Sequence, residues 1–152
     1  MNCCFATIVS TNYLAYAKVL SASLAQYAPA CSFRVLIVDR ASEACRELVF
    51  QTGLDAVFAE ELGLADFERL AYKYDLVELN TALKPTFLRR LLESEFERVI
   101  YLDPDVLVCG SIAPLLSALD DASVVLTPHS MTPVLDGHRP SDVDCLRNGT
   151  FN

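Results

Sequence analysis

Short apolar segments alternate with segments of helical periodicity along this chain, and no other feature constrains the fold more. Each apolar segment is long enough for a strand and too short for a buried helix. Strands that alternate with helices predict an α/β domain with a largely parallel, Rossmann-like sheet. We predict one domain over residues 1–152, with strands at Cys3–Ser10, Phe33–Val38, Ala56–Phe58, Arg98–Leu102 and Val124–Leu126.

Apolar residues recur every three or four positions between these strands, which predicts amphipathic helices over 13–27, 43–51, 65–74, 76–83 and 112–119. Ser42 is the predicted N-cap of the second helix, and Gly53 suits the position that ends it. Pro85 is predicted to open a further helix, because the first turn needs no N–H from it. Residues 106–108 are predicted to be extended, and 141–144 to form a capping box.

The formal net charge of −8 bears on the kind of partner that the chain binds. An acidic surface repels phosphate backbones, so nucleic-acid binding is not expected. A phosphorylated small molecule is still compatible with such a surface when a divalent cation lies between them. The apolar runs are far shorter than the roughly 20 residues that span a bilayer. The first residues also lack the basic region of a signal peptide, so a cytoplasmic protein is expected.

The six cysteines lie at positions 3, 4, 31, 45, 109 and 145. They form no C-x-x-C pair and no spacing typical of zinc sites. Most lie within apolar stretches, which favours buried thiols in a reducing compartment.

The segment Asp103-Pro104-Asp105 is the sharpest chemical signal in the sequence. In an extended segment, residues i and i+2 point the same way, so the two carboxylates would converge. A hard divalent ion such as Mn²⁺ or Mg²⁺ would relieve their repulsion and leave positions for phosphate oxygens. The alternative is a surface turn, since Asp and Pro both favour turns. The apolar residues on both sides favour the metal-binding interpretation.

Polar residues also follow the other predicted strands. The first strand leads into Thr7 to Tyr13, and the second ends at Asp39. In open α/β sheets, ligands bind beyond the carboxyl ends of the strands. Asp39 and Asp103 should therefore lie at the same edge of one sheet.

The segment from Arg98 to Val108, which contains the DxD, resembles that of GT-A fold glycosyltransferases, in particular the retaining family 8 type. The opening strand with Asn12-Tyr13 and the strand ending at Asp39 are similar to the same family. Thr81-Ala-Leu-Lys84 lies where a basic residue often faces the sugar diphosphate, and Gly149 to Asn152 resembles the start of an F-N-x-G segment. The resemblance spans nearly the whole chain.

This resemblance implies that a sugar passes from a nucleotide diphosphate sugar, usually a uridine one, to a hydroxyl of a carbohydrate, lipid-linked or protein acceptor. A Mn²⁺ or Mg²⁺ ion on Asp103 and Asp105 would bridge the two phosphates as a Lewis acid. The implied nucleotide-sugar-binding residues are Thr7, Asn12, Tyr13, Asp39, Lys84 and Asp103. No catalytic residue is assigned.

The family's acceptor-side half and its late metal-binding histidine lie beyond Asn152, so the resemblance implies a donor-binding portion that is incomplete at its C-terminus. His129 and His138 are interpreted as loop residues and not as metal ligands. Membrane contact through regions outside the chain stays open. Two alternatives are a nucleotide-sugar-binding fragment without activity of its own and a HAD-type phosphatase, in which the first Asp of a D-x-D attacks phosphorus.

Overall fold

The computed structural model of the protein describes residues 2–128, 141 and 143–144. Four strands form one sheet in the order β3-β2-β1-β4: β1 (Cys3–Val9), β2 (Ser32–Ile37), β3 (Ala56–Phe58) and β4 (Arg98–Tyr101). Every pairing in this sheet is parallel. The predicted α/β class with a parallel sheet and flanking helices is therefore confirmed.

The described residues form five α-helices: α1 (Leu14–Tyr27), α2 (Glu43–Thr52), α3 (Phe67–Lys73), α4 (Leu76–Leu92) and α5 (Ala113–Asp121). The predicted caps of α2 are confirmed. The Ser42 side chain accepts a hydrogen bond from the Cys45 N–H, and Gly53 ends the helix at φ 69°. A left-handed backbone at that position suits glycine, which has no Cβ to clash.

The sheet is covered on both faces. All seven residues of β1 are buried, as expected for a central strand. Ala6 and Ile8 pack on one side with Leu79, Leu83 and Phe87 of α4. On the other side, a second cluster joins β1 and β2 to α1 and α2 through Val9, Leu14, Ala17, Val35, Ile37 and Val49.

The predicted helix break at Pro85 is wrong, because α4 runs without interruption from Leu76 to Leu92 with Pro85 inside it. An internal proline removes one backbone hydrogen bond and costs about 3 kcal/mol. Four buried side chains at four-residue spacing, Leu79, Leu83, Phe87 and Leu91, continue across that point. Their burial against the sheet offsets the cost, since each contributes about 1.5–3 kcal/mol.

Two predicted extended segments form no strand. Residues 106–108 and 124–126 have no regular secondary structure. Leu107 and Val124 are exposed at 58% and 70%. Their apolar composition suits a strand, but neither segment joins the β3-β2-β1-β4 sheet of the described residues, and the Val108 N–H donates to the Ser23 hydroxyl at 3.2 Å.

The structure divides the chain into two compact units, residues 1–112 and 113–152. The single domain over 1–152 therefore stays a prediction. In the second unit, the Ser141 N–H and hydroxyl donate to Asp144, and the Asp144 N–H donates back to the Ser141 hydroxyl, which confirms the predicted capping box.

The described cysteines differ in exposure. Cys3 and Cys4 are buried and free, whereas Cys109 is exposed and free. Burial raises the pKa of both Cys3 and Cys4 to about 12. The prediction of buried thiols is therefore confirmed for Cys3 and Cys4 and wrong for Cys109. Among the described helices, none has the length and apolar character that crossing a membrane requires.

Candidate functional site

The chain order of the strands creates a crevice at one edge of the sheet. The chain passes from β1 to β2 and β3 in one direction, and then returns to place β4 on the other side of β1. In open α/β sheets, ligands bind at such a reversal, beyond the carboxyl ends of the strands. A cavity of about 440 Å³ lies there, lined by the ends of β1 and β4 and by one side of α4.

Asp103 and Asp105 both line this cavity. The sequence predicted an extended segment here, and this prediction is wrong. The segment forms a turn, in which the Val106 N–H donates to the Asp103 carbonyl at 3.1 Å. Pro104 occupies the second position of that turn, which its fixed φ favours. The observed turn brings both carboxylates to the cavity, and their binding of a metal ion stays a prediction.

Lys84 and Tyr101 lie beside these carboxylates. The Lys84 Nζ is 3.9 Å from an Asp103 carboxylate oxygen and 3.9 Å from the centre of the Tyr101 ring. Burial raises the pKa of Tyr101, and the Asp103 and Asp105 charges add to that shift. The site thus places two acidic groups, one cation and one neutral phenol together.

Tyr13 is the other sequence-predicted residue at the cavity, which its side chain lines from the start of α1. Its ring stacks on Tyr16 at 5.2 Å and is 42% exposed. Tyr13 is thus a partly exposed aromatic residue at the cavity that the two carboxylates also line.

Asn12, Asp39 and Thr7 do not line the cavity. Asn12 accepts a hydrogen bond from the Ser10 hydroxyl, and Asp39 accepts from the Thr11 N–H at 2.6 Å and from the Thr11 hydroxyl at 3.2 Å. Both shape the turn that carries Tyr13. Thr7 is fully buried in β1. Asp39 and Asp103 follow parallel strands, so they lie at the same edge of the sheet, as predicted.

Sequence reasoning did not single out Leu76, Val77 and Asn80, which also line the cavity from α4. Leu76, Asn80 and Lys84 are four residues apart, so they share one side of a continuous helix. The sequence predicted one helix over 76–83 and a second one from Pro85, so Lys84 fell between them. The continuous helix α4 places Lys84 on the same side as Leu76 and Asn80.

The candidate donors for a metal ion are the carboxylates of Asp103 and Asp105. Within residues 2–128, 141 and 143–144, no three His, Cys, Asp or Glu side chains are grouped so that they could hold a metal ion. Two carboxylates suit a hard divalent cation that takes its remaining ligands from water and phosphate oxygens. The residues present therefore fit a cation bound together with a phosphorylated ligand. His129 and His138, like Cys145 and the segment 149–152, lie outside the described residues.

A sequence model of glycosyl transferase family 8 matches residues 4–135, most of the chain. The chain belongs to this family. No curated protein gives a significant match. Both carboxylates and Lys84 fall within the part that matches the family 8 model.

Two solved structures are similar to this family 8 chain. An active-site mutant of LgtC is 26% identical, with a TM-score of 0.48. The galactosyltransferase LgtC in complex with donor and acceptor sugar analogs is 24% identical, with a TM-score of 0.40. Each match covers 74% of this chain, and the chain spans 41% of the length of each structure.

Proposed function

We propose that this chain provides the donor-binding part of a glycosyltransferase that uses a nucleoside diphosphate sugar, with uridine as the nucleoside, and a divalent cation. The observation that carries the proposal is the convergence of Asp103, Asp105 and Lys84 on one cavity at the reversal of strand order. Membership of family 8 supports sugar transfer and disfavours the phosphatase alternative.

In this proposal each group has a separate task. Asp103 and Asp105 hold Mn²⁺ or Mg²⁺, which when bound would offset charge on the diphosphate as it departs. Lys84 brings a further positive charge to the phosphates from α4. Tyr13 offers its exposed ring to the nucleoside. Asn12 and Asp39 hold the turn on which Tyr13 stands, and they act on the ligand through it.

The proposal requires that metal and nucleotide bind cooperatively. Two carboxylates bind a divalent cation weakly by themselves, and diphosphate oxygens complete its ligand set. Each partner must then tighten the other by the same factor, which is about 5- to 150-fold in typical coupled systems.

Calorimetry of uridine diphosphate (UDP) binding with Mn²⁺ and with a chelator tests this coupling. We expect Mn²⁺ to tighten UDP binding in the parent chain, and Asp105→Asn to bring that factor close to one, because it removes one of the two charged ligands. Asp66→Asn is the matched control, since Asp66 is exposed, makes no cap hydrogen bond and lies away from the cavity. Equal UDP affinity in Mn²⁺ and chelator, or an unchanged factor in Asp105→Asn, would show that the carboxylates are an ordinary surface turn.

A further inference from the structure

Asn80 carries a buried polar atom that the fold does not satisfy. Its side-chain oxygen Oδ1 is shielded from solvent and has no hydrogen-bond partner among the described residues. A buried acceptor without a partner costs about 1–3 kcal/mol, so native proteins seldom keep one without a use. Asn80 lines the same cavity as the carboxylates. The χ2 torsion of an asparagine amide is soft, so Oδ1 can reorient when a ligand binds at this cavity.

The position of Asn80 on α4 limits what it can meet. It lies one helical turn before Lys84, about 6 Å along the helix axis. Val77 and Leu76 follow toward the start of the helix and give that end of the cavity an apolar wall. The cavity therefore changes along α4 from a charged end at Lys84, through an amide, to an apolar end.

The two sides of the cavity come from opposite faces of the sheet. Tyr13 stands at the start of α1, which packs on one face with Val9, whereas α4 packs on the other face with Ile8. The carboxylates lie between them at the end of β4. A ligand with its nucleoside on Tyr13 and its diphosphate at Asp103 and Asp105 therefore extends its remaining group toward α4.

On this basis, and resting on the proposed function, we infer that Asn80 contacts the sugar of the donor, with Oδ1 accepting a hydrogen bond from a sugar hydroxyl. Ionised phosphate oxygens have no proton to donate, so they cannot satisfy Oδ1. The ribose and the base do carry donors, but this arrangement places them at Tyr13, so the hydroxyls of the donor sugar are the donors on the α4 side. Val77 then packs against the C–H surface of the ring. Asn80 is thus a residue that selects for the sugar and not for the nucleotide.

The test compares UDP with UDP-glucose and UDP-galactose by calorimetry in Mn²⁺, for the parent chain and for Asn80→Ala. We expect UDP affinity to stay within about twofold, and the affinity for at least one UDP-sugar to fall about tenfold, the loss typical of one hydrogen bond. Alanine favours a helix more than asparagine does and removes the unsatisfied oxygen, so the thermal midpoint should stay or rise. Asn80→Asp keeps an acceptor oxygen and should keep the ratio of UDP-sugar to UDP affinity, although its charge weakens both.

Gln51→Ala is the matched control, because it removes a helical amide on α2 whose nitrogen already donates to Glu47 outside the cavity. It should change neither affinity. If Asn80→Ala weakens UDP as much as the UDP-sugars, Asn80 contacts the nucleotide and the inference is wrong. If it changes none of them, the role is structural and the inference is also wrong. A parent chain that binds no UDP would overturn the proposed function and this inference with it.

Discussion

Asp39 and Asp103 follow parallel strands at the same edge of one sheet, yet the structure uses them differently. The Asp39 carboxylate accepts hydrogen bonds from the Thr11 N–H and the Thr11 hydroxyl. The Asp103 carboxylate lies at a cavity, with a lysine at 3.9 Å. An aspartate that follows a parallel strand is thus either hydrogen-bonded within the fold, as Asp39 is, or placed at a cavity, as Asp103 is.

The end of β3 follows the pattern of Asp39. Glu61 accepts a hydrogen bond from the Phe58 N–H at 3.1 Å and pairs with Arg46 at 2.8 Å. β2 and β3 thus end in acidic groups that are satisfied from within the fold. The difference arises from strand order, because the crevice forms only where β4 returns to the far side of β1.

The largest expected effect is the loss of UDP affinity caused by Asp103→Asn. We expect UDP affinity in Mn²⁺ to fall about 100-fold, or about 2.7 kcal/mol, because one of two charged ligands is lost. The free energy of unfolding should change by less than about 0.5 kcal/mol, since the partly exposed pair with Lys84 contributes little and repulsion from Asp105 is relieved. Calorimetry and urea unfolding measure the two quantities. A large loss of stability with unchanged affinity would make Asp103 a structural residue like Asp39.

Asp39→Asn should lower the stability of the fold more than it lowers UDP affinity. We expect the free energy of unfolding to fall by about 1.5–2 kcal/mol, because the hydrogen bonds to Thr11 lose a charged acceptor. UDP affinity should fall by less than about tenfold, through a looser Tyr13 turn. Urea unfolding beside the Asp66→Asn control checks the first effect. If stability is unchanged and UDP binding is abolished, Asp39 contacts the nucleotide directly, as the family resemblance implies.

Glu61→Gln should give the smallest effect, a loss in the free energy of unfolding that depends on pH. Burial raises the pKa of Glu61, but the bonds from Arg46 and Phe58 outweigh it and hold the pKa below its ordinary value of 4.5. Such a group stabilises the fold above its unfolded pKa, and this stabilisation is lost as the pH falls through the folded pKa. The side chain is 40% exposed, so solvent screening limits the loss to about 0.5 kcal/mol at pH 7.

Unfolding of the parent and of Glu61→Gln between pH 7 and pH 3 checks this expectation. The two curves should differ at neutral pH and converge toward the acid end. A difference that persists or grows on acidification would show that Glu61 does not act through its charge.

The sequence by itself determined the elements that depend on local composition. Apolar runs at 3–10 and 98–102 predicted two strands, which the structure forms at Cys3–Val9, fully buried, and at Arg98–Tyr101, only partly buried. Ser42 with Gly53 predicted the ends of α2, because capping depends on neighbouring residues. It also predicted the shared edge of Asp39 and Asp103, since parallel strands end on one side. Of the residues that the family resemblance implied, Lys84 and Tyr13 lie with the carboxylates at the cavity, whereas Thr7, Asn12 and Asp39 do not line it.

Only the tertiary structure decided the remainder. Burial of Leu83 and Phe87 against the sheet carries α4 through Pro85, an outcome that local propensity opposes. The apolar segment 106–108 forms no strand, because its backbone N–H groups at Val106 and Val108 donate to the Asp103 carbonyl and the Ser23 hydroxyl and not to a neighbouring strand. Asp39 and Asp103 read alike in the sequence, and their roles separated only when strand order placed the crevice between β1 and β4. The sequence did not predict these outcomes because they depend on contacts between residues far apart in the chain, which local sequence patterns do not specify.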